Sequence, residues 1–267
     1  MNGGPGPDDD WLVAEGLGAR VGAAMSTRRG GASTGPWASM NLGDAVGDTP
    51  DAVARNRRRF GEAIGARPVF LKQVHGTRVV LVDGADARAW TEAGAPRIEA
   101  DASVTTEAGV ACTVLVADCL PVLLAAPDGR AVAAAHAGWR GLAGGVVEAA
   151  LRAVCEAAHC EPQVVHGWLG ACIGPRSFEV GADVLAAFGA DPAASDPLRF
   201  APRGAADGAP RKWLANLPQL ARDRLHAAGA RHVAGATCCT FEHGSRFFSY
   251  RRDGVTGRMA AAIWIRD

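Results

Sequence analysis

The sequence lacks an excess of charge in either direction, with 28 Lys and Arg against 28 Asp and Glu. Without a net field it has no long-range pull on a nucleic-acid backbone or an anionic membrane. That removes the strongly basic binding classes. Long apolar runs are missing too. The most apolar stretch, residues 110–126, is interrupted by Asp118 and Pro121 and cannot serve as a bilayer span. Residues 1–24 offer neither a basic start nor an apolar middle, and carry Asp8, Asp9 and Asp10 instead, so no secretory signal is expected. The seven cysteines are odd in number and irregularly spaced, which argues against a disulfide framework and for reduced thiols in the cytoplasm. There is no repeat of fixed period.

What remains is an ordinary globular composition, 48% apolar and 21% charged over 267 residues, enough for one sizeable core. Residues 1–24 are expected to form a flexible N-terminal tail and lead-in, and 25–267 a single catalytic domain. Thr49, Pro50 and Asp51 mark a helix start that runs to Ile64 and stops at Gly65. Short apolar runs at 78–82, 111–117, 122–126 and 130–135 predict strands, the last three buried on both faces. Asp128-Gly129 is a hairpin signal. Helices are expected at 142–158, 182–188 and 213–228, and further strands at 164–169, 232–236, 246–250 and 259–265. Helices and strands mixed in this way predict a single α/β domain with antiparallel or mixed sheets.

Three segments concentrate reactive side chains at the ends of apolar runs: 71–76 with His75, 117–121 with Asp118 and Cys119, and 135–141 with His136. Two imidazoles and a thiolate suit zinc and leave a fourth tetrahedral position open, the arrangement of a catalytic site. The spacing alone does not require it. A buried apolar thiol with two satisfied core histidines accounts for the same residues, and so does a nucleophilic Cys119 with His136 as base. Asp118, as a strand neighbour of Cys119, should point away from the metal and act as an orienting group or a turn cap. The loop 26–31, with Arg29, has the glycines and guanidiniums of an anion cradle or of a solvated turn. The segments 250–254 and 256–258 read as a charged turn.

Together these segments resemble the YfiH-type family, whose bacterial members were once labelled laccase-like multicopper polyphenol oxidases. The matching pieces are Asn41-Leu42-Gly43 with Gly47-Asp48, Asn56-Arg57, Gln73-Val74-His75-Gly76, Ala117 to Pro121, and His136 to Gly141. Further pieces are Gly174-Pro175, Phe178-Glu179-Val180, Phe248 to Asp253 and Thr256-Gly257-Arg258. The resemblance covers about residues 26–265. It implies two mixed β-sheets packed as a sandwich with helices outside (α/β/β/α). It also implies one zinc ion per chain on His75, Cys119 and His136, with Asp118 as a further catalytic residue.

The activity it implies is purine nucleoside phosphorylase, with adenosine deaminase and methylthioadenosine phosphorylase. The expected partners are a nucleoside and phosphate, contacted by Arg29, Asn41, Gln73, Arg140 and Arg251, in a monomer or homodimer. Relatives linked to editing of peptidoglycan precursors imply a second class, an amidase using the same centre. One position departs from the family: Ala45 stands where many members carry histidine. The older oxidase label fails on ligand count, because a trinuclear copper cluster draws on His-x-His pairs, and these seven histidines include none.

Overall fold

In the computed structural model, residues 10–89, 97–204 and 210–267 are described. Two sheets face each other. One has five strands in the spatial order Leu12–Val13, Val21–Met25, Met259–Ile265, Val110–Val116 and Arg67–Phe70. The other has six, ordered His232–Gly235, His166–Leu169, Leu120–Ala125, Val132–Ala137, Ala102–Thr105 and Val79–Leu81. Both sheets are mixed: the outer pairs Arg67–Phe70 with Val110–Val116 and His232–Gly235 with His166–Leu169 run parallel, and the central pairs antiparallel. A small three-stranded sheet of Glu179–Val180, Lys212–Ala215 and Phe200–Arg203 stands beside them.

Period-two alternation places the layers. Along Met259–Ile265, Met259, Ala261, Ile263 and Ile265 enter the core between the sheets, where they meet Leu123, Val132 and Ala134 of the opposite sheet. Ala260, Ala262 and Trp264 face outward, under Phe60 and Ile64 of the helix Pro50–Ile64. Along Leu120–Ala125, Leu120, Val122 and Leu124 turn outward beneath the helices Val146–Ala158 and Leu217–Ala227. Strands with a packed layer on each side have no solvent face, which is why they read as continuous apolar runs. The α/β/β/α sandwich implied by the resemblance is the observed fold.

The helix at 50–64 keeps its expected bounds, closed by Gly65 at φ 64°. The hairpin at Asp128-Gly129 joins two antiparallel strands, with φ of 57° and 65° at its two residues.

Other expectations need correction. The helix expected at 213–228 is a strand, Lys212–Ala215, followed by a helix, Leu217–Ala227. Asn216 caps the helix by accepting the Gln219 N–H at 3.2 Å, and Pro218 sits in its first turn, where a proline begins a helix instead of continuing one. Residues 246–249 form no strand. Ser249 caps the short helix Tyr250–Asp253. The helix expected at 142–158 is two, Trp139–Gly144 and Val146–Ala158, parted at Gly145 with φ 100°. Residues 1–9 of the expected tail lie outside the described residues, whereas 21–24 belong to an inner strand. All seven cysteines are free. No helix of the described residues is long and apolar enough to cross a membrane.

Candidate metal centre

His75, Cys119 and His136 arrive at one point from three elements. Their ligand atoms all lie within 4.8 Å of one another, and Cys119 Sγ is 3.8 Å from His75 Nε2. Modest side-chain rotation closes such a set onto one ion held at roughly 2.0–2.3 Å from each donor. Two imidazoles and a thiol are a donor set that could hold a metal ion through three protein ligands.

Cys119 owes its place to the chain changing layers. Val110–Val116 belongs to the five-stranded sheet and Leu120–Ala125 to the six-stranded one, so residues 117–119 form the crossover. Asp118 takes φ 92° there, a backbone conformation that L-residues rarely adopt. Its carboxylate accepts the Thr240 hydroxyl at 2.6 Å and the Arg251 N–H at 2.7 Å, and so lies turned from the three ligands. The crossover turn sets this direction, in place of the strand alternation expected from sequence.

His136 is buried on the strand Val132–Ala137, opposite Pro121. Its Nδ1 is 2.8 Å from Asp101, a fully buried carboxylate. Asp101 also accepts the main-chain N–H groups of Val74 (3.1 Å), His75 (2.9 Å) and Gly76 (2.7 Å). One carboxylate thus leaves His136 Nε2 free for a metal and fixes the loop carrying His75, which itself sits at φ 61°. Two glycines make the approach possible. A Cβ on Gly138 would lie 2.7 Å from His75 Cδ2 and 3.1 Å from Cys119 Sγ, and one on Gly141 would lie 2.8 Å from the Gly76 carbonyl.

The ligands perturb one another's protons. Burial opposes ionisation of Cys119, but the His136 and His75 imidazoles outweigh it and bring the thiol down to about 6. Burial likewise disfavours a charged His136, and the neighbouring Cys119 and Asp101 overcome that and raise it to about 9. Asp101 is held below the usual carboxylate range, because the hydrogen bonds from His136 and the main-chain N–H groups exceed its desolvation. A thiol poised as thiolate is in its metal-binding form.

The centre opens into a cleft of about 1840 Å³ whose walls include Gln73, Tyr250 and the cations Arg57, Arg97 and Arg258. Arg57 and Arg97 both pair with Asp44, Arg57 at 3.3 Å. Ala45 also lines the cleft.

Of the expected substrate contacts, only Gln73 is on this wall. Its amide is engaged with the Leu115 backbone, donating to the carbonyl at 2.8 Å and accepting the N–H at 2.7 Å. Arg29 lies elsewhere, donating to the Ser245 carbonyl at 3.0 Å. Arg140 is exposed and stacks on Trp139 at 4.3 Å. Arg251 donates to the Glu179 carbonyl at 2.8 Å. Asn41 is buried and ties Gly43 to the Arg258 backbone.

Asp101, Arg97 and Asp44 escape sequence reasoning because no spacing links them to the three ligands. Arg57 and Arg258 carry a signal, lying within family-matching pieces, but Arg258 reads there as part of a turn.

Fold and centre together define a class: α/β sandwiches with a His–Cys–His group, able to hold a metal ion, where the chain crosses between two sheets. Residues 22–266 match the family model described as multi-copper polyphenol oxidoreductase laccase. The chain is 44% identical to the purine nucleoside phosphorylase PA4543 of Pseudomonas aeruginosa, over 93% of this chain and 95% of the relative. It is also 44% identical to the purine nucleoside phosphorylase YfiH of Escherichia coli K12, over 92% and 94% of the two chains. The crystal structure of the Neisseria meningitidis protein NMB0706 superposes with a TM-score of 0.83 at 43% identity, covering 97% of this chain and 100% of that one. The chain belongs to the YfiH-type family.

Proposed function

We propose that this chain is a zinc-dependent, cytoplasmic purine nucleoside phosphorylase, converting adenosine, inosine or guanosine and phosphate to the free base and ribose 1-phosphate. Adenosine deamination and methylthioadenosine phosphorolysis belong to the same centre. The observation that carries this reading is the gathering of His75, Cys119 and His136 at the head of a cationic cleft. The printed names of relatives at 44% identity support the substrate class.

Zinc is preferred to copper on the donor set: one three-ligand site with a single thiol falls far short of a multicopper array. A zinc ion there would supply Lewis acidity to the departing purine, or to water adding to the ring of adenosine. The chain's own groups do the rest. Asp101 orients His136 and holds the His75 loop, and Gly138 leaves space for both ligands. The exposed ring of Tyr250 on the cleft wall offers the base a stacking face. During phosphorolysis a phosphate oxygen bonds to ribose C1′ while the C1′–N9 bond breaks, its electron pair leaving with the purine. Cations lining the cleft offset the phosphate charge.

Metal analysis of the purified protein, followed by a nucleoside panel with and without phosphate, tests this. Release of base together with ribose 1-phosphate, dependent on phosphate and lost on chelation or in Cys119→Ser, is expected. Full turnover after the metal has been stripped would sink the metal mechanism. Cleavage of muramoyl-amino-acid substrates without any nucleoside turnover would favour the amidase class.

A further inference from the structure

Arg258 lines the cleft with its main chain, stem and charge each arranged by different parts of the molecule. Its N–H donates to Asn41 Oδ1 at 2.9 Å, and its carbonyl accepts the Leu42 N–H at 3.0 Å. Its aliphatic stem lies against Gly43, where a Cβ would come within 2.7 Å of Arg258 Cγ. Nη1 donates to the Thr256 and Gly257 carbonyls at 3.1 and 3.0 Å. Nε and Nη2 have no hydrogen-bond partner among the described residues, and no carboxylate there forms an ion pair with this guanidinium. The group stands 5.8 Å from the Tyr250 ring centroid.

Of the other cleft arginines, Arg58 and Arg67 are exposed, and two are engaged by the protein. Arg57 and Arg97 divide one carboxylate, Asp44, between them, and Arg57 also donates to the Leu42 carbonyl at 2.9 Å. Arg258 is half-buried and constrained by carbonyls on one side only. Burial lowers its pKa, while Cys119 and Asp118 pull the other way, and its side chain lines the same cleft as His75, Cys119 and His136. A guanidinium with two free N–H directions, fixed in the cleft that holds the His75, Cys119 and His136 group and without a carboxylate counter-ion among the described residues, is a receptor for a tetrahedral oxyanion.

We infer that Arg258 is the residue that holds inorganic phosphate for attack, in a subsite walled by Tyr250 and opening onto the His75, Cys119 and His136 centre. This rests on the phosphorylase reading above and names the group that binds its second substrate. Arg29, Arg140 and Arg251, the guanidiniums that sequence suggested for this task, line other surfaces.

The test compares the full-length protein with Arg258→Gln, Arg258→Lys and Arg57→Gln in two measurements. In steady-state phosphorolysis, Arg258→Gln should raise the KM for phosphate by about tenfold or more, the worth of a charge-assisted hydrogen bond. The KM for nucleoside should stay within about twofold. Arg258→Lys, which keeps a positive charge and most of the stem, should recover part of the loss. In thermal melts, inorganic phosphate should raise the Tm of the parent protein and leave that of Arg258→Gln unmoved.

An unchanged phosphate KM and an unchanged Tm response in Arg258→Gln would overturn the inference, as would a defect confined to Arg57→Gln. A larger Tm response to adenosine 5′-monophosphate than to phosphate, lost in Arg258→Gln, would also overturn it, because the subsite would then serve a nucleotide. If the parent protein cleaves no nucleoside, the phosphorylase reading fails by itself, and the melts still report on Arg258.

Discussion

Asp101 Oδ1 lies 2.8 Å from His136 Nδ1, and the same carboxylate accepts three consecutive main-chain N–H groups from the loop bearing His75. The two imidazoles of the centre are therefore positioned by one buried side chain. Replacing Asp101 by Asn keeps the volume but presents an NH2 to N–H donors. Zinc affinity is expected to fall by about 10- to 100-fold. Competition with a chromophoric chelator measures it. An Asp101→Asn protein that holds zinc as tightly as the parent would deny Asp101 its orienting part.

Gly138→Ala separates the centre from the fold. Gly138 has φ −65°, which alanine adopts without strain, so the backbone tolerates the change. The new methyl meets His75 and Cys119 at 2.7 and 3.1 Å. Melting should shift little, while metal content and turnover drop together. A variant with normal metal loading would show that the ligands have room to retreat.

Metal binding should release a proton near neutral pH. In the metal-free protein Cys119 has lost its proton above about 6, whereas His136 keeps one until about 9. Between these values the incoming ion displaces the His136 proton, so affinity should fall about tenfold for each pH unit lowered. Calorimetry in buffers of different ionisation enthalpy counts the proton directly. A count near zero at pH 7.5 would contradict the assignment.

The same pair governs the stability of the metal-free protein. Cys119 is depressed from 9.0 to about 6, so its contribution is complete above 9 and fades as pH falls through 6. His136 is raised from 6.5 to about 9, so its contribution is complete below 6.5 and fades as pH rises through 9. Tm in excess chelator should therefore plateau between about 6 and 9. Cys119→Ser removes the rising contribution and leaves the His136 one, so its Tm should fall as pH rises above about 6.5, and a Tm profile identical in the parent and Cys119→Ser would refute the coupling.

Asn56 is a structural counterpart remote from the metal. Buried in the helix Pro50–Ile64, it accepts the Ala32 N–H at 2.7 Å and donates to Ser33, Ser39 and Asn41 at 2.9, 3.1 and 2.8 Å. Asn56→Ala leaves the Ala32 N–H and the Asn41 carbonyl without this partner and should cost about 2–4 kcal/mol in denaturant unfolding. A loss under about 0.5 kcal/mol, the usual effect of a surface change, would show that water replaces the amide.

Much of this was legible in the chain. Pro50 and Gly65 bracket a helix by local backbone chemistry, which needs no tertiary information. The strands at 110–116, 120–125 and 132–137 announce themselves because burial on two faces leaves them almost wholly apolar, Thr113 and His136 excepted. The segment 213–228 misled because Trp213 and Leu214 fit a helical stripe, and only the Asn216 cap and Pro218 mark where the helix begins.

At the site, His75, Cys119 and His136 followed from the family resemblance, since spacing alone favours a buried thiol and core histidines. Asp101 was invisible: an acid before a short strand acquires its meaning only when Ala102–Thr105 pairs with Val132–Ala137 and brings His136 alongside. The substrate contacts were the least legible part. Arg29, Arg140 and Arg251 carry the same guanidinium as Arg258, and direction, which sequence does not encode locally, decides among them.

The passage from one sheet to the other occupies residues 117–119, and the thiol sits at its end. Sliding either layer along its neighbour would drag the sulfur away from the imidazole mounted on Val132–Ala137. Alignment of the layers and readiness of the pocket to accept an ion are thus a single mechanical variable. An ion seated there works as a rivet, and whatever loosens the interior between the layers loosens its grip as well.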